Sequence, residues 1–150
     1  MRPTFIPKDD KFALRVKESF ERQKFMAHIG AVLAIIEPGF CEIQVPYHVS
    51  LTQQHGFFHA GVVGTLADNA GGYAAYSLMA EDSSILTVEY KLNLVSPAKG
   101  EVLIGRSWVE KYGKTLTICR SEVYVKTEQQ ETLCALSQMT LIELKNTADT

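Results

Sequence analysis

The chain has 150 residues, 46% of them hydrophobic and 21% charged, with a formal net charge of −2. That length and composition predict a single globular domain over 1–150 that buries roughly 70% of its unfolded surface. The near-neutral balance excludes a general attraction to nucleic acid or acidic membranes, and the acidic residues Asp9, Asp10, Glu18 and Glu21 near the start argue against a secretory leader, so a soluble cytoplasmic protein is expected.

In chain order, Phe12, Val16 and Phe20 recur at i, i+4 and i+8 among charged residues, which predicts an N-terminal amphipathic helix over about 9–28, closed by Gly30. The apolar run Ala31–Ile36, the turn residues Glu37-Pro38-Gly39, and the alternation of Cys41, Ile43 and Val45 with Glu42 and Gln44 predict a β-hairpin stopped at Pro46. A central helix is expected from about His59 to Met79. Then Leu86, Val88, Tyr90, Leu92 and Leu94 alternate with Thr87, Glu89, Lys91 and Asn93, a half-buried strand ended by Ser96-Pro97. Three further strands over 102–112, 115–126 and 132–144 complete a mostly antiparallel meander around one helix. The three cysteines, Cys41, Cys119 and Cys134, lie far apart in apolar stretches and are expected as reduced core residues.

The central helix holds the chemistry. Gly61, Gly64, Asp68, Gly71 or Gly72, and Ala75 fall on one face, so a carboxylate stands in a stripe of the smallest side chains. Each interior glycine costs a helix about 1 kcal/mol relative to alanine, so another backbone or a ligand must come close. Either the stripe is a docking surface with Asp68 at its centre, or the glycines permit close packing and Asp68 pairs with a neighbour. His55 and His59 stand at i, i+4, but Gly56 interrupts them and the glutamate of H-E-x-x-H is missing, so no metal is expected. The segment His59-Ala60-Gly61 instead offers unpaired N–H groups at a helix start, where an oxyanion is favoured.

His59-Ala60-Gly61, Thr65-Leu66-Ala67-Asp68-Asn69 and Gly72-Tyr73-Ala74-Ala75, followed by Thr87-Val88-Glu89-Tyr90-Lys91-Leu92-Asn93 and Ser96-Pro97-Ala98, resemble the hotdog-fold acyl-CoA thioesterases of the phenylacetate-degradation type, over roughly residues 25–144. The resemblance implies an α+β hotdog fold, a curved six-stranded antiparallel sheet wrapped around the central helix. It implies a cofactor-free hydrolase in which Asp68 is general base or nucleophile at the thioester carbonyl. The N–H of Gly61, with that of Ala60, would polarise the carbonyl, and the Thr87 hydroxyl would help position the water. Gln53 stands where many members have asparagine, with Gln54 an equal candidate, and Ala60 stands where glycine is common. The acid of one subunit would face the helix start of the other, so a homodimer is the minimum unit and a dimer of dimers is expected.

Phe57, Phe58, Tyr73, Tyr76 and Met79 suit a medium or long acyl chain or an aryl group. Lys91, Lys99, Arg106, Lys111 and Lys114 are candidates for the phosphates of coenzyme A, the expected carrier. Two alternatives stay open: an acyl-thioester dehydratase or hydratase with His59 as base and Asp68 as acid, and a non-catalytic acyl-CoA-binding protein of the same fold.

Overall fold

In the computed structural model, which describes residues 2–150, the predicted N-terminal helix is two helices, α1 (Phe12–Arg22) and α2 (Lys24–His28). Gln23 breaks them by taking an extended backbone, ψ 100°, and Gly30 closes the segment at φ +72°. Val16 and Phe20 bury the apolar face of α1 as their spacing predicts. Then come β1 (Val32–Glu37), β2 (Phe40–Pro46), α3 (Ala60–Tyr76), β3 (Ser84–Leu94), β4 (Val102–Tyr112), β5 (Leu116–Lys126) and β6 (Glu131–Leu144).

The six strands form one antiparallel sheet in the order β1-β2-β4-β5-β6-β3. The meander expectation holds for β4 to β6 and fails for β3, which lies at the far edge beside β6. Helix α3 is the cause. Its 17 residues span about 25 Å, and the four strand spacings between β2 and β3 span about 19 Å. The helix therefore carries the chain across the inner face and delivers it to the opposite edge.

Small residues let α3 lie close to the sheet. A Cβ on Gly105 would sit 3.0 Å from the Leu66 carbonyl oxygen, and one on Gly71 would sit 2.0 Å from Met139 Sδ. Beneath the helix, Ser107, Ser121 and Ser137 stand abreast on β4, β5 and β6. The Ser121 hydroxyl lies 2.8 Å from both the Ala67 carbonyl oxygen and the Ser107 hydroxyl. The free cysteines are buried in this core, and burial pushes their thiols up, that of Cys134 to about 11.

The C-terminal end of α3 is held from outside its own segment. The Arg15 guanidinium on α1 donates to the carbonyl oxygens of Met79 at 2.7 Å, Ala80 at 3.0 Å and Tyr76 at 3.4 Å, and pairs with Asp9. A cation there satisfies carbonyls that lack intrahelical partners and complements the helix dipole.

Candidate active site

Asp68 is half-buried midway along α3 and faces β3, where the Thr87 hydroxyl donates to its Oδ1 at 2.8 Å. The strict alternation read from the sequence would put Thr87 on the face opposite Tyr90. A β-bulge between Thr87 and Glu89 resolves this: Thr87 pairs with Leu141 and Tyr90 with Met139, both buried residues of the inner face. Burial pushes the Asp68 carboxyl above its ordinary value, and the Thr87 bond opposes that rise.

The start of α3 is capped by His59, whose Nδ1 accepts the Gly61 N–H at 2.9 Å. With Nδ1 as acceptor, the neutral ring carries its proton on Nε2. A Cβ on Gly61 would lie 3.0 Å from that Nδ1, so glycine gives the cap its room. The Ala60 N–H has no hydrogen-bond partner among the described residues. Seven residues separate Gly61 from Asp68, about 10 Å along the helix, so one chain does not bring both to a single carbonyl.

Two recesses flank this helix face. One, of about 440 Å³, runs past the helix start and is lined by Gln53, Phe57, Phe58, Ala60, Val63 and the segment Leu94 to Ala98. The other, of about 140 Å³, adjoins Asp68 and Thr87 and is lined by Ser19, Gln23, Asn69, Gly72, Tyr73 and Asp149, with Ile85 and Leu141.

A thioesterase superfamily model matches residues 55–132, which include the helix start, Asp68 and Thr87. The chain belongs to that superfamily. A thioesterase family protein from Silicibacter pomeroyi shares 45% identity at a TM-score of 0.88, covering 89% of this chain and 98% of that one. A thioesterase from Haemophilus influenzae (18% identity, TM-score 0.80, 95% and 96% of the two chains) and the Escherichia coli PaaI protein of the phenylacetic acid degradation operon (19%, 0.81, 92% and 96%) share the fold. The hotdog architecture and a hydrolase of this superfamily are thus shown.

The remaining expected site residues of the thioesterase divide sharply. Gln53 lines the helix-start recess, but its Oε1 accepts the His55 N–H and its own N–H bonds the Phe57 carbonyl, so it closes a turn; Gln54 is exposed. Tyr76 and Met79, expected around the acyl group, are core residues 1% and 0% exposed that line neither recess. Lys91, Lys99, Lys111 and Lys114 are exposed, whereas Arg106 is engaged by Glu42 and Glu131 at 2.7 Å each, which pushes its pKa up.

The small-residue stripe also divides, with Gly71 packed on the sheet and Gly72 open beside Asp68, where a Cβ would meet nothing within 4 Å. Sequence reasoning missed Ser19, Gln23, Asn69 and Asp149. The first two carried a signal: they continue the Phe12, Val16, Phe20 stripe at i+7 and i+11, polar groups on a face that is otherwise buried.

Proposed function

We propose that this thioesterase hydrolyses an acyl-CoA, of medium or long chain or with an aryl group, to the free acid and coenzyme A. The observation that carries the reading is the half-buried Asp68 held by Thr87 beside an open recess. Burial disfavours its charge, so the carboxylate gains by taking a proton from attacking water or by itself attacking the carbonyl carbon. Thr87 positions the carboxylate. The free Ala60 N–H, with the Gly61 N–H once released from the His59 ring, polarises the carbonyl oxygen at the positive helix end.

The 10 Å offset along α3 makes a second copy part of the site, with Asp68 of one chain serving a thioester held at the partner's helix start. Strand β3 supports this homodimer: it is a sheet edge that exposes Leu86, Val88, Tyr90 and Leu94, a surface that needs covering. A dimer of dimers is the expected assembly.

The apolar side chains Phe57, Phe58 and Val63 at the helix start offer contact to carbon chains, and Lys99, next to Ala98 of that recess, offers charge to phosphate, as does Lys91. Free-thiol release from acetyl-, octanoyl- and phenylacetyl-CoA tests the proposal; no release from any of them, or a preference for acetyl, overturns it.

A further inference from the structure

Beyond β6 the chain turns back on itself. Asn146 takes the left-handed region at φ +53°, and the Thr147 N–H donates to the Asp82 carbonyl oxygen at 2.9 Å, which brings the segment alongside α1. There Arg22, the last residue of α1, donates to the Asp149 carboxylate at 2.7 Å and to the Asp149 carbonyl oxygen at 2.5 Å. The pair ties together residues 127 positions apart.

This pair stands in a wall between two recesses. Asp149 lines the recess of about 140 Å³ beside Asp68, and it also lines one of about 540 Å³ bordered by Arg15, Glu18, Arg22, Asn146 and Ala148. No other described residue lines both. The neighbouring part of the wall is bonded to itself: the Tyr73 hydroxyl accepts from Gln23 Nε2 at 2.8 Å and lies 3.2 Å from Ser19 Oγ, in a setting that is at least partly buried. The Arg22 and Asp149 side chains, by contrast, are 48% and 30% exposed. An ion pair that exposed contributes little and is screened by salt. The wall is therefore weakest at the point where it separates the small recess from the large one.

On the reading of the chain as an acyl-CoA hydrolase, we propose that the Arg22–Asp149 pair is a latch that sets how long an acyl group the site accepts. Closed, it ends the recess beside Asp68, whose volume is the share of about five water molecules or as many methylene-sized atoms. Open, the two recesses join, and a longer tail runs on over Ala148 and the aliphatic stem of Arg15. Arg22 and Asp149 are then specificity-determining residues acting at the far end of the substrate.

Chain length and salt test this together. Thiol release is measured from hexanoyl-CoA and decanoyl-CoA, and calorimetric binding from the non-hydrolysable thioethers S-hexyl-CoA and S-decyl-CoA. In Arg22→Ala and in Asp149→Ala the decanoyl-to-hexanoyl ratio of kcat/KM, and the matching ratio of affinities, should rise about two- to fivefold, the scale of an exposed pair. The double variant should rise no further, because both changes open the same latch. Raising sodium chloride from about 0.05 M to about 1 M should lift the ratio in the unaltered protein and leave it unmoved in Arg22→Ala. Both substrates carry the same coenzyme A, so salt effects on that part cancel in the ratio. Arg120→Ala, which breaks the exposed pair with Glu122 on the outer sheet face, should leave the ratio where it was.

A ratio that ignores both salt and the two single variants, rises additively in the double variant, or moves equally in Arg120→Ala overturns the latch while acyl-CoA hydrolysis stands. The salt arm needs no substitution, so a variant that fails to fold does not shield the proposal. A shift in thioether affinities without thiol release from either thioester upholds the latch and overturns the hydrolysis reading. Absence of both binding and release overturns the two together.

Discussion

On the proposed mechanism, Asp68 carries opposite effects on activity and stability. Its folded pKa is raised, so between the ordinary carboxyl value and the raised one the folded chain binds more protons than the unfolded chain. Its contribution to stability is therefore greatest below the ordinary value and is lost as pH rises through the raised one. Asp68→Asn should lower kcat at least ~100-fold yet leave the thermal midpoint at neutral pH unchanged or higher; a folded Asp68→Asn protein with near-normal turnover would sink the mechanism. The acid limb of kcat/KM should lie above the ordinary carboxylate range. Thr87→Val removes the bond that holds the pKa down, so that limb should move to higher pH, and an unmoved limb would deny Thr87 its positioning role. As a candidate, Asp68 stands out in the sequence as a lone carboxylate among glycines, a pattern that leaves a packing role open until the family resemblance is weighed; Asn69 and Asp149 do not stand out, because their place beside it arises only where distant segments meet.

At the scale of elements, α3 rests on contacts its own sequence does not contain. Arg15→Met removes the donors to three carbonyls at its C-terminal end. Charge-assisted bonds of this kind are worth roughly 2–3 kcal/mol together in a partly buried setting, so the midpoint in a thermal melt should fall by about 5–10 °C. The two adjacent glycines should behave oppositely on substitution by alanine. Gly71→Ala drives a methyl into Met139 and Ser107 and should cost about 1–3 kcal/mol. Gly72→Ala meets nothing and should gain about 0.5–1 kcal/mol from helix propensity. Denaturant midpoints of the pair decide this, and equal shifts would contradict the packing described. Periodicity revealed the helix and most strands within a few residues. It did not reveal the break at Gln23, since the residues on either side share one amphipathic stripe, nor the bulge in β3, since a bulge leaves the alternation of residue types intact while turning the strand over.

For the molecule as a whole, the decisive element is the one that sequence order misplaces. Adjacency along the chain suggests that β3 neighbours β4, whereas the length of α3 sends it to the open edge. There it stands beside the Asp68 face of α3, to which Thr87 is bonded. If the proposed homodimer forms through this edge, placing a charge on it, as in Val88→Glu, should dissociate that dimer and abolish the proposed thiol release in parallel while the monomer stays folded. Light scattering and turnover measured over a dilution series would show the two falling together, and an active monomer would refute the shared site.

The bulge in β3 also makes the strand tolerant of a change in length. Val88 is the extra residue, so a single deletion between Thr87 and Tyr90 removes the irregularity and leaves Thr87 facing Asp68 and Tyr90 facing Gly64 of α3. A second deletion has no such slack, and it would turn the Thr87 hydroxyl out to solvent. This segment can therefore lose one residue in evolution or by design without disturbing the site, but not two.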